Sequence, residues 1–198
     1  MYYSITGKAA VKEGFAVITA GGVGYRVFTS SSTLSRMRNN EEYTLYTYLS
    51  VKEDSLTLYG FDTEEELSTF KMLIGVSGVG PKAAIAVLSA LTPAEFAMSV
   101  IMQEPKSITK AHGVGKRMAE KIIVELKDKL KSVDLTEITQ SGGNIISVSD
   151  SFANEAINAL MVLGYSAADS KRAVDSVAGS SDNLEDLIKA ALKKMSNF

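Results

Sequence analysis

Two short segments of this chain carry groups suited to holding an anion, and they are near copies of one another. Gly78-Val79-Gly80-Pro81-Lys82 recurs, at an offset of 35, as Gly113-Val114-Gly115-Lys116-Arg117. Glycine allows a tight turn with positive φ and lets another molecule come close to the backbone. The residue after each second glycine is placed to open a helix, and Pro81 suits a first helical position because no amide hydrogen bond is lost there. A helix start presents unpaired N–H groups at the positive end of the dipole, and Lys82, Lys116 and Arg117 add full charges beside them. Paired sites of this kind fit two phosphates along a nucleic-acid backbone better than one small ligand. Such contacts position a protein without reading bases.

Each turn must be held between two helices. Leu67, Phe70, Leu73 and Ile74 precede the first with helical spacing; Ala84, Ile85, Leu88 and Leu91 follow it, and Ala119, Ile122, Ile123, Leu126 and Leu130 follow the second. The pair resembles a tandem helix-hairpin-helix unit, a sequence-independent DNA-backbone binder. Two other glycine motifs are excluded. A P-loop needs Lys directly after its last Gly and then Ser or Thr, but Pro81 intervenes and Ala83 follows. A dinucleotide fingerprint needs a strand before it, whereas the preceding residues have helical spacing.

The remaining chain supplies platforms on either side. Residues 1–62 read as about five short strands: Phe15, Val17 and Thr19 alternate before Gly21-Gly22-Val23-Gly24, and Tyr25, Val27 and Thr29 alternate after it. Ser32 to Met37 fits one helical turn. Tyr43 to Leu49 and Leu56 to Leu58 fit two strands around Lys52-Glu53-Asp54-Ser55, which suits a small OB-type β-barrel. Thr63-Glu64-Glu65-Glu66 has capping-box spacing and opens the helical region as a solvated helix start; Thr92-Pro93-Ala94-Glu95 repeats the device. Residues 132–150 have linker composition, and 151–198 fit three short helices with a Leu163-Gly164-Tyr165 turn, resembling a UBA-like three-helix bundle. The expected architecture is therefore multidomain α+β: an N-terminal OB-type barrel (1–62), a central all-α tandem helix-hairpin-helix domain (63–131), a linker (132–150) and a C-terminal three-helix bundle (151–198).

Composition narrows the chemistry. With no Cys and one His, His112, disulfides and thiolate metal sites are excluded and no metal or cofactor is expected. No basic leader with an apolar core opens the chain and no apolar run reaches membrane-spanning length, so a cytoplasmic protein is expected. Net charge is −2, but residues 63–131 carry 10 basic and 8 acidic residues while 132–198 carry 5 and 9. The hairpin region is the basic one, mildly, so binding there depends on where the charges sit.

In order and in residues, the whole chain closely resembles the bacterial RuvA family: Gly22-Val23-Gly24-Tyr25, Glu53-Asp54, Leu58-Tyr59-Gly60-Phe61 and the two hairpins carry the likeness. That resemblance implies a non-catalytic homotetramer that holds a four-way Holliday junction open and planar, one or two tetramers to a junction. It further implies recruitment of the hexameric RuvB ATPase for branch migration in recombination and repair, with the RuvC resolvase as a further partner. Gly78, Val79, Gly80, Lys82, Gly113, Val114, Gly115, Lys116 and Arg117 would then be backbone clamps. Glu53 and Asp54, on bare sequence a solvated turn, would form an acidic pin at the junction centre. The resemblance puts the RuvB contact on the face from Leu160 to Tyr165, with Leu160, Leu163, Gly164 and Tyr165. Two departures stand out: Thr6 where the family commonly has a basic residue, and Ala111-His112 where it commonly has Leu-Pro. The competing readings are a metal-dependent nuclease built on Glu53, Asp54 and Asp62, and an adaptor acting through the terminal bundle alone.

Overall fold

The computed structural model describes residues 2–133, 148–177 and 183–195. Five strands, β1 (Ser4–Lys12), β2 (Phe15–Ala20), β3 (Val23–Phe28), β4 (Glu42–Val51) and β5 (Leu56–Phe61), close into a barrel in the order β1-β2-β3-β5-β4. All neighbours are antiparallel except β3 with β5, the parallel pair that closes the barrel. The Gly21-Gly22 turn joins β2 to β3 with φ of 55° and 82°, the left-handed pair that a two-residue hairpin requires. Ile5, Ala16, Ile18, Val27, Leu45 and Leu58 fill the interior, and Met37, just after the short α1 (Ser31–Arg36), packs with them.

The β2 alternation has the expected period, and the structure decides which face meets the core. Ala16 and Ile18 are the fully buried residues, while Phe15 lies outside against Phe28, ring centroids 6.1 Å apart, with the Arg26 guanidinium 4.8 Å from its own centroid. Register in a barrel is decided by which residues fit the narrow interior, and a small Ala beside Ile fits it where Phe does not.

Helices α2 (Glu64–Ile74), α3 (Pro81–Ala90), α4 (Pro93–Ile101), α5 (Pro105–Ile108) and α6 (Lys116–Val133) build the central unit. Its core is continuous with the barrel wall: Phe70 of α2 packs on Phe61, Tyr59 and Tyr48 at centroid separations of 4.8, 5.3 and 5.3 Å. Pro105 opens a helix of only four residues, so the second hairpin is entered from one turn rather than a full amphipathic helix. Gln103, at φ 52°, breaks the chain between α4 and α5.

The acidic start of α2 is a buried latch as well as a helix cap. Thr63 caps the Glu66 amide as expected, but the Glu66 carboxylate does not return to Thr63. It is 7% exposed and accepts from the Thr33 hydroxyl, the Asp62 amide and the Arg36 guanidinium, the last at 2.9 Å. Asp62 completes the group, taking Arg36 Nε at 2.7 Å and the Tyr43 hydroxyl at 2.6 Å. A carboxylate this deep needs such partners, and the solvated reading of Glu66 is corrected on that ground. By contrast Thr92 and Glu95 form the full reciprocal capping box at α4.

Three further helices, α7 (Val148–Val162), α8 (Ala167–Val177) and α9 (Leu184–Met195), form the terminal bundle around Ala156, Leu160, Leu163, Val174, Ile188 and Leu192. Most of the expected linker, residues 134–147, lies outside the described residues; helix occupies the positions on either side of it. No single helix among the described residues is long and apolar enough to cross a membrane.

Candidate nucleic-acid interface

The duplicated hairpins are duplicated in their backbone bonding. Val76 donates to the Leu73 carbonyl and Ala111 to Ile108, each at 3.1 Å. Val79 donates to Val76 at 3.0 Å and Val114 to Ala111 at 3.1 Å; Ala84 closes on Gly80 at 3.1 Å and Ala119 on Gly115 at 3.0 Å. Every pair is offset by 35 residues, so one turn geometry has been built twice. Ala111, standing where the family's Leu-Pro is absent, is 2% exposed and bonded as Val76 is.

The glycines divide the work. Gly78 and Gly113, at φ 86° and 79°, supply the left-handed residue of each turn. Gly80 caps α3 from an extended conformation, and a Cβ placed on Gly80 or Gly115 meets no atom within 4 Å. The second glycine of each copy therefore faces open space, where its missing side chain leaves the backbone reachable. Because the first helical bonds are those of Ala84 and Ala119, the amides of Lys82 and Ala83, and of Lys116, Arg117 and Met118, have no intrahelical partner. Unpaired amides of this kind are what a helix start offers an anion.

Val79 and Val114 sit differently. Their side chains are 5% and 4% exposed in the shared core and their amides are spent on Val76 and Ala111, so they anchor the turns from below. Lys82, Lys116 and Arg117 are exposed, with Lys116 loosely paired to Glu120 at 3.7 Å. One more cation joins them that motif reading missed: Lys121 of α6 reaches across the units so that its Nζ lies 3.9 Å from the Cβ position of Gly78. Glu125, paired with Lys121 at 3.6 Å, accepts the Ser77 amide at 3.2 Å and ties the first turn to α6. Only the fold brings residue 121 to residue 78; α6 periodicity alone shows an ordinary acid–base i,i+4 pair.

Glu53 and Asp54 are exposed at the tip of the β4–β5 hairpin, in a turn held by mutual Lys52 and Ser55 backbone bonds of 2.9 and 3.4 Å. Val51 and Leu56, paired in register just below them, are 68% and 72% exposed. Asp62 lies at the other end of β5, about 20 Å away at ~3.3 Å per strand residue, and is committed to Arg36 and Tyr43. The three acids of the nuclease reading are thus not brought together, and no group of three or more acids or histidines suited to a metal occurs among the described residues. Thr6 shares a 2.8 Å hydroxyl contact with Thr44 on the barrel surface.

In the bundle, Leu160, Leu163 and Tyr165 are 0%, 2% and 8% exposed. Burial and the Glu65 charge push the Tyr165 phenol well above its ordinary range. Gly164, at φ 95°, lies against α2: a Cβ there would come 2.9 Å from Ser68 Cβ.

Comparison with known proteins agrees along the chain. Residues 1–60 match the family described as the RuvA N terminal domain, 70–128 a SAM-like helix-hairpin-helix tandem, and 151–196 the RuvA C-terminal domain. Among similar proteins, one from Acetivibrio thermocellus is 49% identical, covering 98% of each chain. One from Ruminiclostridium cellulolyticum is 43% identical over 98% of this chain and all of its own, and one from Thermoanaerobacter sp. is 41% identical over 93% of each. All three are named Holliday junction branch migration complex subunit RuvA.

Proposed function

The chain belongs to the RuvA family, and from that membership we propose that it binds four-way junction DNA by shape and phosphate and serves as the DNA-holding subunit of a branch migration complex. The observation that carries this reading is the twice-built turn, with free helix-start amides and open second glycines at both copies. Lys82, Lys116 and Arg117, joined by Lys121, supply the charge that holds the arms.

Four copies around the crossing would bring four Glu53-Asp54 turns to its centre. Two unit charges about 6 Å apart interact by roughly 2–3 kcal/mol at an effective dielectric near 20, so the acids would repel phosphates at the hub while the hairpins attract them outside it. That division favours an open, planar junction. Branch migration then needs a motor, and the terminal bundle recruits the RuvB ATPase for it; the chain itself is a non-catalytic subunit that works in the cytoplasm. The RuvC resolvase is a further partner for the opened junction in the same reading.

The test is light-scattering mass of the purified protein with and without a synthetic four-way junction. A tetramer, and a complex of one or two tetramers per junction, is expected. A monomer that binds junction and linear duplex equally contradicts the reading.

A further inference from the structure

The Glu66 latch belongs to a larger clasp. Helix α1, inserted between β3 and β4 of the barrel, takes hold of both helices that flank the first hairpin. On the α2 side, the Arg36 guanidinium forks between Asp62 at the end of β5 and Glu66 in the first turn of α2, at 2.7 and 2.9 Å, and the Thr33 hydroxyl donates to the other Glu66 oxygen at 3.2 Å. On the α3 side, the Ser31 amide donates to the Ser89 hydroxyl at 3.0 Å and the Ser32 hydroxyl to the Leu88 carbonyl at 3.3 Å. The clasp therefore sits at a corner. From it β5 runs about 20 Å back to the Glu53-Asp54 turn at ~3.3 Å per residue, and α2 runs about 16 Å on to the first hairpin at ~1.5 Å per residue. Phe70 packing on the barrel wall holds the corner together, but apolar contact is non-directional, whereas hydrogen bonds fix lengths and angles. A rotation of about 5° at the corner would carry the far end of α2 by about 1.4 Å, roughly half the length of a hydrogen bond to phosphate. A buried ion pair is weak support for stability, and its best-attested use is to fix one geometry among several.

We propose that α1 is the positioning element of the junction complex: Arg36 and Glu66 fix the angle between β5 and α2, and with it the distance from the acidic turn to the first phosphate clamp. This rests on the junction reading above. A linear duplex can follow the hairpins alone, whereas a junction must satisfy the acidic turn and the clamps together. The clasp thus acts on the preference for a junction and not on the grip itself.

Arg36→Gln and Glu66→Gln, each in the full chain, test this. The first removes the fork; the second keeps the side-chain shape and turns an amide donor toward Arg36. Urea titration reports folding, anisotropy gives affinity for a four-way junction and for a linear duplex, and energy transfer between dyes on neighbouring arms reports arm geometry. Both variants should bind duplex as wild type does and shift the energy transfer, while the junction-to-duplex ratio falls about tenfold, the equivalent of one charged hydrogen bond lost. Should either fail to fold, Arg36→Lys carries the same test: it keeps the charge without the fork, and a smaller fall in the ratio is expected. Junction and duplex affinities that fall by one common factor, or a folded variant with wild-type ratio and wild-type energy transfer, overturn the proposal and leave the junction reading intact. A wild-type protein with no preference for the junction defeats that reading and this proposal together.

Discussion

Removing Lys82 and Lys116 together, as alanines, tests the clamp through its salt dependence. Both side chains are exposed beside helix-start amides, and neither is needed for packing. The Lys116–Glu120 pair, 3.7 Å apart and exposed, contributes about 0.3–0.5 kcal/mol at most, so its loss hardly affects stability. Each phosphate neutralised contributes about 0.9 to the slope of log affinity against log salt. Two lysines per subunit therefore account for about 1.8, and four engaged subunits for about 7. Anisotropy of a labelled four-way junction, titrated from roughly 50 to 300 mM salt, should show the two proteins far apart at low salt and converging as salt rises. Parallel lines, with the variant weaker by a constant factor, would refute the phosphate assignment, since a merely destabilised fold loses affinity without losing counterion release.

Alanine at Gly78 or Gly113 should cost about 1–2 kcal/mol of stability in a denaturant titration, because an L-residue must adopt positive φ there. At Gly80 or Gly115 it should leave stability within about 0.5 kcal/mol and weaken DNA binding instead, since the new methyl meets only the ligand. Glu53→Gln with Asp54→Asn should tighten duplex binding and lower the junction-to-duplex ratio in a gel-shift competition; an unchanged ratio removes the pin. Burial and its bond to Asp62 push the Tyr43 phenol up to about 12 from 10.0. The unfolded chain loses that proton first, so stability present below pH 10 should fall as pH rises toward 12, and Tyr43→Phe should flatten this alkaline decline in urea titrations.

What could be read from the sequence was whatever is encoded locally. The barrel's strand periods, the Thr63 and Thr92 caps and the doubled glycine turn all depend on residues within a few positions of each other, and they appear where their chemistry requires. Contacts made across the fold were not legible. Nothing near Glu66 in sequence announces Arg36 and Thr33, nothing near Gly78 announces Lys121, and the β2 alternation could not say which face met the core. The acidic turn is the opposite case: Glu53 and Asp54 look like solvent-exposed turn residues in the sequence and in the fold alike. The role proposed for them needs an assembly larger than one chain.

The most direct measurement is therefore positional. A photo-reactive side chain placed at Glu53, and separately at Arg117, should be cross-linked to a junction whose strands are end-labelled so that each adduct can be mapped to a nucleotide. Adducts are expected from position 53 at the nucleotides of the crossing and from position 117 several base pairs out along the arms. Adducts from position 53 at the arm ends, or from position 117 at the crossing, would contradict that placement.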